Sequence, residues 1–237
     1  MPSQGCCLSA TLLAMTHCAS ENLYPAEGLG WKAPDPITCQ LESDRLIVRS
    51  YQLFDAPALF DAINDSRDGH LLPWMSWCKT NHRTIESTTK YVCDQMLAMS
   101  EPLTFNNLGT GIFCKATGRL LGGSGVHDIR KDTASCETGY WLRRDVIGNG
   151  YAREACARTL SWALQAQANG GLGLQRVRIY CSDKNVPSTK LIEQLNITAE
   201  VHQRNDYYIE SIGATDRLGW GVLAEEWDCD SHCAFKS

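Results

Sequence analysis

Glu137-Thr138-Gly139-Tyr140-Trp141-Leu142 is followed, after Arg143 to Ile147, by Gly148-Asn149-Gly150-Tyr151-Ala152-Arg153-Glu154-Ala155. The first run reads as a strand, the second as a short glycine-bearing loop that opens a helix. The first turn of a helix carries backbone N–H donors without intrahelical partners, at the positive end of its dipole. Glycines let the chain close around an anion with no Cβ in the way. Together these features make a phosphate cradle, although a Gly-x-Gly turn also occurs with no ligand at all. A Walker A loop would place Lys-Ser/Thr after its last glycine, where this chain has Tyr151-Ala152. A dinucleotide fingerprint would need a third glycine where Arg153 stands, and would follow the first strand rather than the fourth.

Upstream of this loop, Arg45 to Arg49 alternates and is rich in branched residues, which predicts a strand. Asp55-Ala56-Pro57 predicts a helix start, with Asp55 as N-cap and Leu59, Phe60 and Ile63 as its apolar stripe. A loop from Asp65 to Thr84 carries His70, Trp74, Trp77 and His82. A helix is expected over 86–99, then strands over 108–114, 120–129 and 135–142. The helix from Gly150 runs to about Gln167 and stops before Asn169-Gly170-Gly171. A strand at 177–180, a helix at 187–195 and strands at 197–203 and 218–223 complete the chain. This order predicts an α+β domain, an α/β sandwich with a mixed sheet. Pro25, Pro34 and Pro36 punctuate residues 1–38, read as a weakly structured extension; the domain is assigned to 39–228 and a tail to 229–237.

The composition narrows the partners. With 22 Lys+Arg against 27 Asp+Glu the net charge is -5, which argues against a general nucleic-acid binder. No stretch is long and apolar enough to cross a membrane. Leu8 to Ala14 is apolar, but no Lys or Arg precedes Lys32, so a secretory leader lacks its basic start. The 12 cysteines are scattered, many of them singly in apolar stretches such as those around Cys93, Cys136 and Cys156, which favours a reducing, cytoplasmic setting. Cys229 and Cys233 flank His232 without a second ligand pair, so no metal is expected.

The run Gly139-Tyr140-Trp141-Leu142 through Gly148-Asn149-Gly150-Tyr151-Ala152 resembles the acetyl-CoA motif of GNAT N-acetyltransferases, in their RimJ/RimL-like branch. Leu41 to Arg49, Leu121-Gly122-Gly123-Ser124-Gly125-Val126 and Asn185-Val186-Pro187-Ser188 to Leu195 resemble further pieces of that branch, in the right order over about residues 40 to 227. The resemblance implies a mostly antiparallel sheet of six to seven strands with about four helices. It implies direct attack of a primary amine, on a small molecule or a protein N-terminus, on the thioester of acetyl-CoA. A homodimer is compatible with it.

The resemblance also implies roles. Gly148, Asn149, Gly150, Tyr151 and Ala152 would hold the diphosphate, and backbone groups of Trp141 and Leu142 the pantetheine arm. Asn185 would bond that arm, or cap the helix that follows, or both. Glu137 is the candidate base and Ser188 the candidate acid, with Tyr207 and Tyr208 as alternatives. Trp74 and Trp77 would border the acceptor pocket, or simply fill the core. Three positions depart from the branch: Asp145 and Arg144 in the loop, and Leu195-Asn196-Ile197 at the end of the last helix. Asp145 and Leu195-Asn196-Ile197 motivate the alternative of a non-catalytic acyl-CoA-binding protein on the same fold.

Overall fold

The computed structural model describes residues 30–228. Eight strands form one sheet in the order β1-β2-β3-β4-β5-β6-β8-β7. They are β1 (Gln40–Glu42), β2 (Leu46–Ser50), β3 (Leu108–Cys114), β4 (Leu120–Arg130), β5 (Ser135–Leu142), β6 (Arg176–Ser182), β7 (Thr198–Ile209) and β8 (Gly213–Leu223). Every neighbouring pair is antiparallel except β5 with β6. The sheet thus exceeds the expected six to seven strands. The extra one is β1, which the sequence reading merged with β2; Ser43 donates its N–H to the Leu46 carbonyl (3.0 Å) and folds the run back on itself.

Four helices cover the sheet: α1 (Ala56–Ser66), α2 (Ile85–Met99), α3 (Tyr151–Leu164) and α4 (Val186–Gln194). Strand alternation decides which helix each face meets. Tyr51, Phe113 and Leu120 pack with Leu59 and Ile63 of α1 and Val92 of α2. Leu46, Val48, Ile112 and Leu121 face the other way, onto Ala155 of α3. Leu160 and Ala163 of α3 lie against Cys136, Val177 and Ile179 in the largest apolar cluster, which Ile192 of α4 joins.

Two local expectations are revised. Asp55 does not cap α1 with its side chain. Its carboxylate instead accepts the Gln52 N–H (2.7 Å) and both terminal nitrogens of Arg49 (2.7 and 2.9 Å), which satisfies it better than a cap would. Residues 30–38, assigned to the extension, lie on the core. Ile37 is buried, Trp31 donates Nε1–H to the Leu172 carbonyl (2.8 Å), and Trp162 donates to that of Thr38 (3.0 Å). Cys229, His232 and Cys233 lie outside the described residues.

Candidate active site

The parallel pair β5 and β6 holds together for three rungs, Ser135 with Arg176, Cys136 with Val177 and Glu137 with Arg178. Beyond Glu137 the two strands part. The edge of β5 from Thr138 to Leu142 then has no strand on its β6 side, and of its backbone groups there the Leu142 carbonyl is taken by His70. A cleft of about 1050 Å³ occupies the fork. It runs from Gly148, Gly150 and Ala152 at the start of α3, past Asn185 and Ser188 of α4, to Glu137 and the tryptophans beneath α1 and α2.

At the first end, Gly148 (φ 80°) and Gly150 (φ 77°) are both left-handed, a conformation that costs other residues about 1–2 kcal/mol. A Cβ on Gly148 would meet nothing within 4 Å, so it is the backbone angle that demands glycine there. The first amide of α3 to find a carbonyl in its own helix belongs to Glu154, which donates to Gly150 (3.2 Å). The amides of Tyr151 and Ala152 precede it and face no helical acceptor. Asn149 and Tyr151 do not line the cleft with their side chains; they hold the loop. Asn149 donates Nδ2–H to the carbonyls of Val146 (3.1 Å) and Ile147 (3.2 Å). Arg45 lies over the Tyr151 ring at 4.7 Å, donates to the Asn149 carbonyl (3.0 Å) and pairs with Glu154 at 2.6 Å. The buried Glu154 carboxylate also accepts from Ser43 Oγ (2.5 Å) and the Arg45 N–H (3.1 Å). The β1–β2 turn is thereby fastened to the first turn of α3. Asp145, the acid expected to oppose a diphosphate, is paired with Arg119 and with Arg143 (3.0 Å), whose hydrogen bonds hold its carboxyl below the ordinary aspartate range.

In the middle, Asn185 caps α4, its Oδ1 accepting the Ser188 N–H at 3.4 Å. That bond leaves the Nδ2 donors for an arm lying in the cleft. Ser188 Oγ is 2.9 Å from the hydroxyl of Tyr140, a partner that the sequence reading missed. Burial pushes the Tyr140 hydroxyl well above its usual range, so it stays a neutral donor. Leu142 is buried, and its carbonyl is 2.9 Å from His70 Nε2.

At the far end, Trp141 lies on the face opposite Tyr140, where β4 offers only glycine beneath it. A Cβ on Gly123 would sit 2.5 Å from Trp141 Nε1. Trp77 packs edge-on against Trp141 (6.3 Å) and His82 (5.7 Å), and His82 against Tyr91 (4.9 Å). Trp74 and Trp77 both line the cleft, and Trp77 also belongs to the packing of that face. The loop that carries them is organised by buried Arg67. It donates to the carbonyls of Cys78, Asn81 (3.1 Å) and His82 (2.8 Å) and to Asn64 Oδ1 (3.2 Å). Tyr207 reaches across from β7 to donate its hydroxyl to the Trp74 carbonyl (3.1 Å), which absorbs one of the two alternative acids; Tyr208 is exposed. Glu137 is 26% exposed, with His127 Nδ1 at 4.0 Å and Arg178 at 3.8 Å.

A family model described as "Acetyltransferase (GNAT) domain" matches residues 45–198. Among curated proteins, "Putative ribosomal N-acetyltransferase YdaF" of Bacillus subtilis (strain 168) is 25% identical over 111 residues, 47% of this chain and 57% of that one. "Uncharacterized N-acetyltransferase p20" of Bacillus licheniformis is 29% identical over 89 residues, 38% of this chain and 47% of that one. The matched segments thus span about half the length of either relative. Among solved structures, RimL, a ribosomal L7/L12 alpha-N-protein acetyltransferase in complex with coenzyme A, aligns at TM-score 0.67 and 18% identity, covering 78% of this chain and 97% of that one. The ribosomal-protein-S5-alanine acetyltransferase of Vibrio fischeri aligns at 0.68 and 21%, covering 80% and 98%. At such identities these two structures establish the fold.

Proposed function

Because the chain belongs to the GNAT acetyltransferase family, we propose that it transfers an acetyl group from acetyl-CoA to a primary amine by direct attack on the thioester. One observation carries this reading: a single cleft joins the anion-seeking amides at the start of α3 to the carboxylate of Glu137. Acetyl-CoA brings the activated acyl group; the chain's own residues supply the rest.

The amides of Tyr151 and Ala152, on a loop shaped by Gly148 and Gly150, hold the diphosphate. The open edge of β5 at Trp141 and Leu142, with Asn185 opposite, holds the pantetheine arm. Glu137 takes the proton that the attacking ammonium must lose, directly or through one water. Ser188 gives a proton to the departing sulfur, and Tyr140 sets the direction of the Ser188 hydroxyl. The ribosomal acetyltransferases among the relatives and neighbours favour a protein N-terminus as acceptor. The seven cysteines among the described residues are free thiols, in keeping with a cytoplasmic setting.

The test is release of free CoA thiol on mixing the protein with acetyl-CoA and amine acceptors. Acceptor-dependent release with an N-acetylated product is expected. Tight CoA binding with no turnover on any amine would instead favour the non-catalytic alternative.

A further inference from the structure

The charges that line the cleft are sorted by position. Arg153 of α3 and Lys190 of α4 stand where the coenzyme enters, and Glu137 is the sole carboxylate among the described lining residues. Among the described residues, no lysine or arginine lines the arm beyond Glu137. Two guanidiniums stand close by without lining the cleft: that of Arg178 is engaged by Asp128 at 3.1 Å and Glu137 at 3.8 Å, and that of buried Arg67 is spent on backbone carbonyls, those of Asn81 and His82 among them.

The polar groups of that arm are also largely committed within the protein. His70 meets the Leu142 carbonyl, and His82 Nδ1 is 3.1 Å from Thr88 Oγ1. Gln95 accepts the Gly109 N–H (2.6 Å) and donates to Asn107 (3.5 Å). Its remaining surface is ring carbon from Trp74, Trp77, Trp141 and Tyr91, all half-buried. A carboxylate or phosphate placed there would meet only neutral indole and phenol donors and no lysine or arginine among the described lining residues, so its charge would be buried without a counter-charge, which is costly. An ammonium beside Glu137 with an apolar group on the rings meets the opposite balance.

Resting on the acetyltransferase reading above, we infer that the acceptor is a primary amine whose neighbouring carbon bears an apolar, ring-compatible group and no carboxylate. Two sources present that chemistry: a polypeptide N-terminus with an aromatic or aliphatic first side chain, and a neutral arylalkylamine. Free amino acids and acidic N-termini are rejected. Trp77 is the specificity residue, because it touches both Trp141 and His82 and sits on the loop between α1 and α2 rather than on the sheet.

The experiment compares kcat/KM at saturating acetyl-CoA for phenylethylamine, phenylalaninamide, free phenylalanine, and short peptides beginning with Phe, Ala or Glu. The neutral aromatic amines are expected to exceed free phenylalanine, and the Phe-first peptide the Glu-first peptide, by at least about tenfold. Trp77→Ala is expected to bring the Phe-first peptide down to the Ala-first level with the acetyl-CoA KM unchanged. A milder Trp77→Phe is expected to keep most of the preference. A Phe-first peptide well above phenylethylamine identifies the polypeptide source, and the reverse the small amine. Equal rates for phenylalaninamide and free phenylalanine, or a Glu-first preference, would overturn the inference and leave acetyl transfer standing. Acetylation of none of these acceptors, with CoA bound, would remove the acetyl-transfer reading and the inference with it.

Discussion

Glu137 and Arg178 face each other on the last rung that β5 and β6 share, with Arg178 3.8 Å from the Glu137 carboxylate. The fork therefore begins at the one acidic group among the described residues that line the cleft. Backbone pairing fixes where Glu137 stands.

Glu137→Gln keeps the shape and removes the proton acceptor. We expect kcat to fall roughly 10²- to 10⁴-fold, the usual span for a lost general base, with the acetyl-CoA KM within twofold. Steady-state kinetics across pH checks this. An unchanged kcat would assign the proton to another acceptor.

Ser188 and Tyr140 share a hydroxyl contact of 2.9 Å. If Ser188 delivers the proton and Tyr140 orients it, Ser188→Ala should lower kcat by one to two orders of magnitude and Tyr140→Phe by less, on the order of the 1 kcal/mol that one neutral hydrogen bond carries. The double variant should be no worse than Ser188→Ala alone, because the two act as one unit. Additive losses would separate them.

Arg67→Met removes a buried guanidinium that serves three carbonyls at once. Leaving those acceptors without partners should cost on the order of 2–3 kcal/mol in urea unfolding. Because the segment it ties holds Trp74 and Trp77, the amine KM should rise while CoA binding holds. A matched loss at both ends of the cleft would contradict the division into two arms.

His82 is buried beside Arg67, and desolvation first, then that positive charge, lowers its pKa from 6.5 to about 4. The unfolded chain thus takes up this proton before the native one does. The stability contributed is complete above about pH 6.5 and is lost as the pH falls toward 4, with a slope approaching 1.4 kcal/mol per pH unit. His82→Asn, which tolerates the observed φ of 56°, should flatten that slope. Denaturation midpoints measured between pH 4 and 7 check it; an unaltered slope would place the titration elsewhere.

Much of this was legible in the sequence, for reasons that can be named. The bounds of β3 and β5 follow from runs of strand-forming residues closed by turns, and the cradle from Gly148 and Gly150, whose positive φ only glycine adopts cheaply. β7 was read too short because it is exposed on both faces over most of its length, so no period-two pattern marks it. β1 was absorbed into β2 because only three residues pair in it. The site's deeper features needed three dimensions. The Tyr140–Ser188 contact spans 48 residues, and Arg67 looks like any loop arginine until the carbonyls of Cys78, Asn81 and His82 converge on it. The sorting of Arg153 and Lys190 from Glu137 depends on which strand edge and which helix each occupies.

Calorimetric titration of CoA into Ala152→Pro bears on the cradle most directly. Pro57 and Pro187 already occupy the second position of α1 and α4, so a proline at the second position of α3 is compatible with a helix start and removes one amide N–H. With that donor gone, CoA should bind at least about tenfold more weakly, as expected for one charge-assisted hydrogen bond, while the melting temperature of the free protein stays within a few degrees. An unchanged dissociation constant in a well-folded Ala152→Pro protein would show that the diphosphate is held somewhere else.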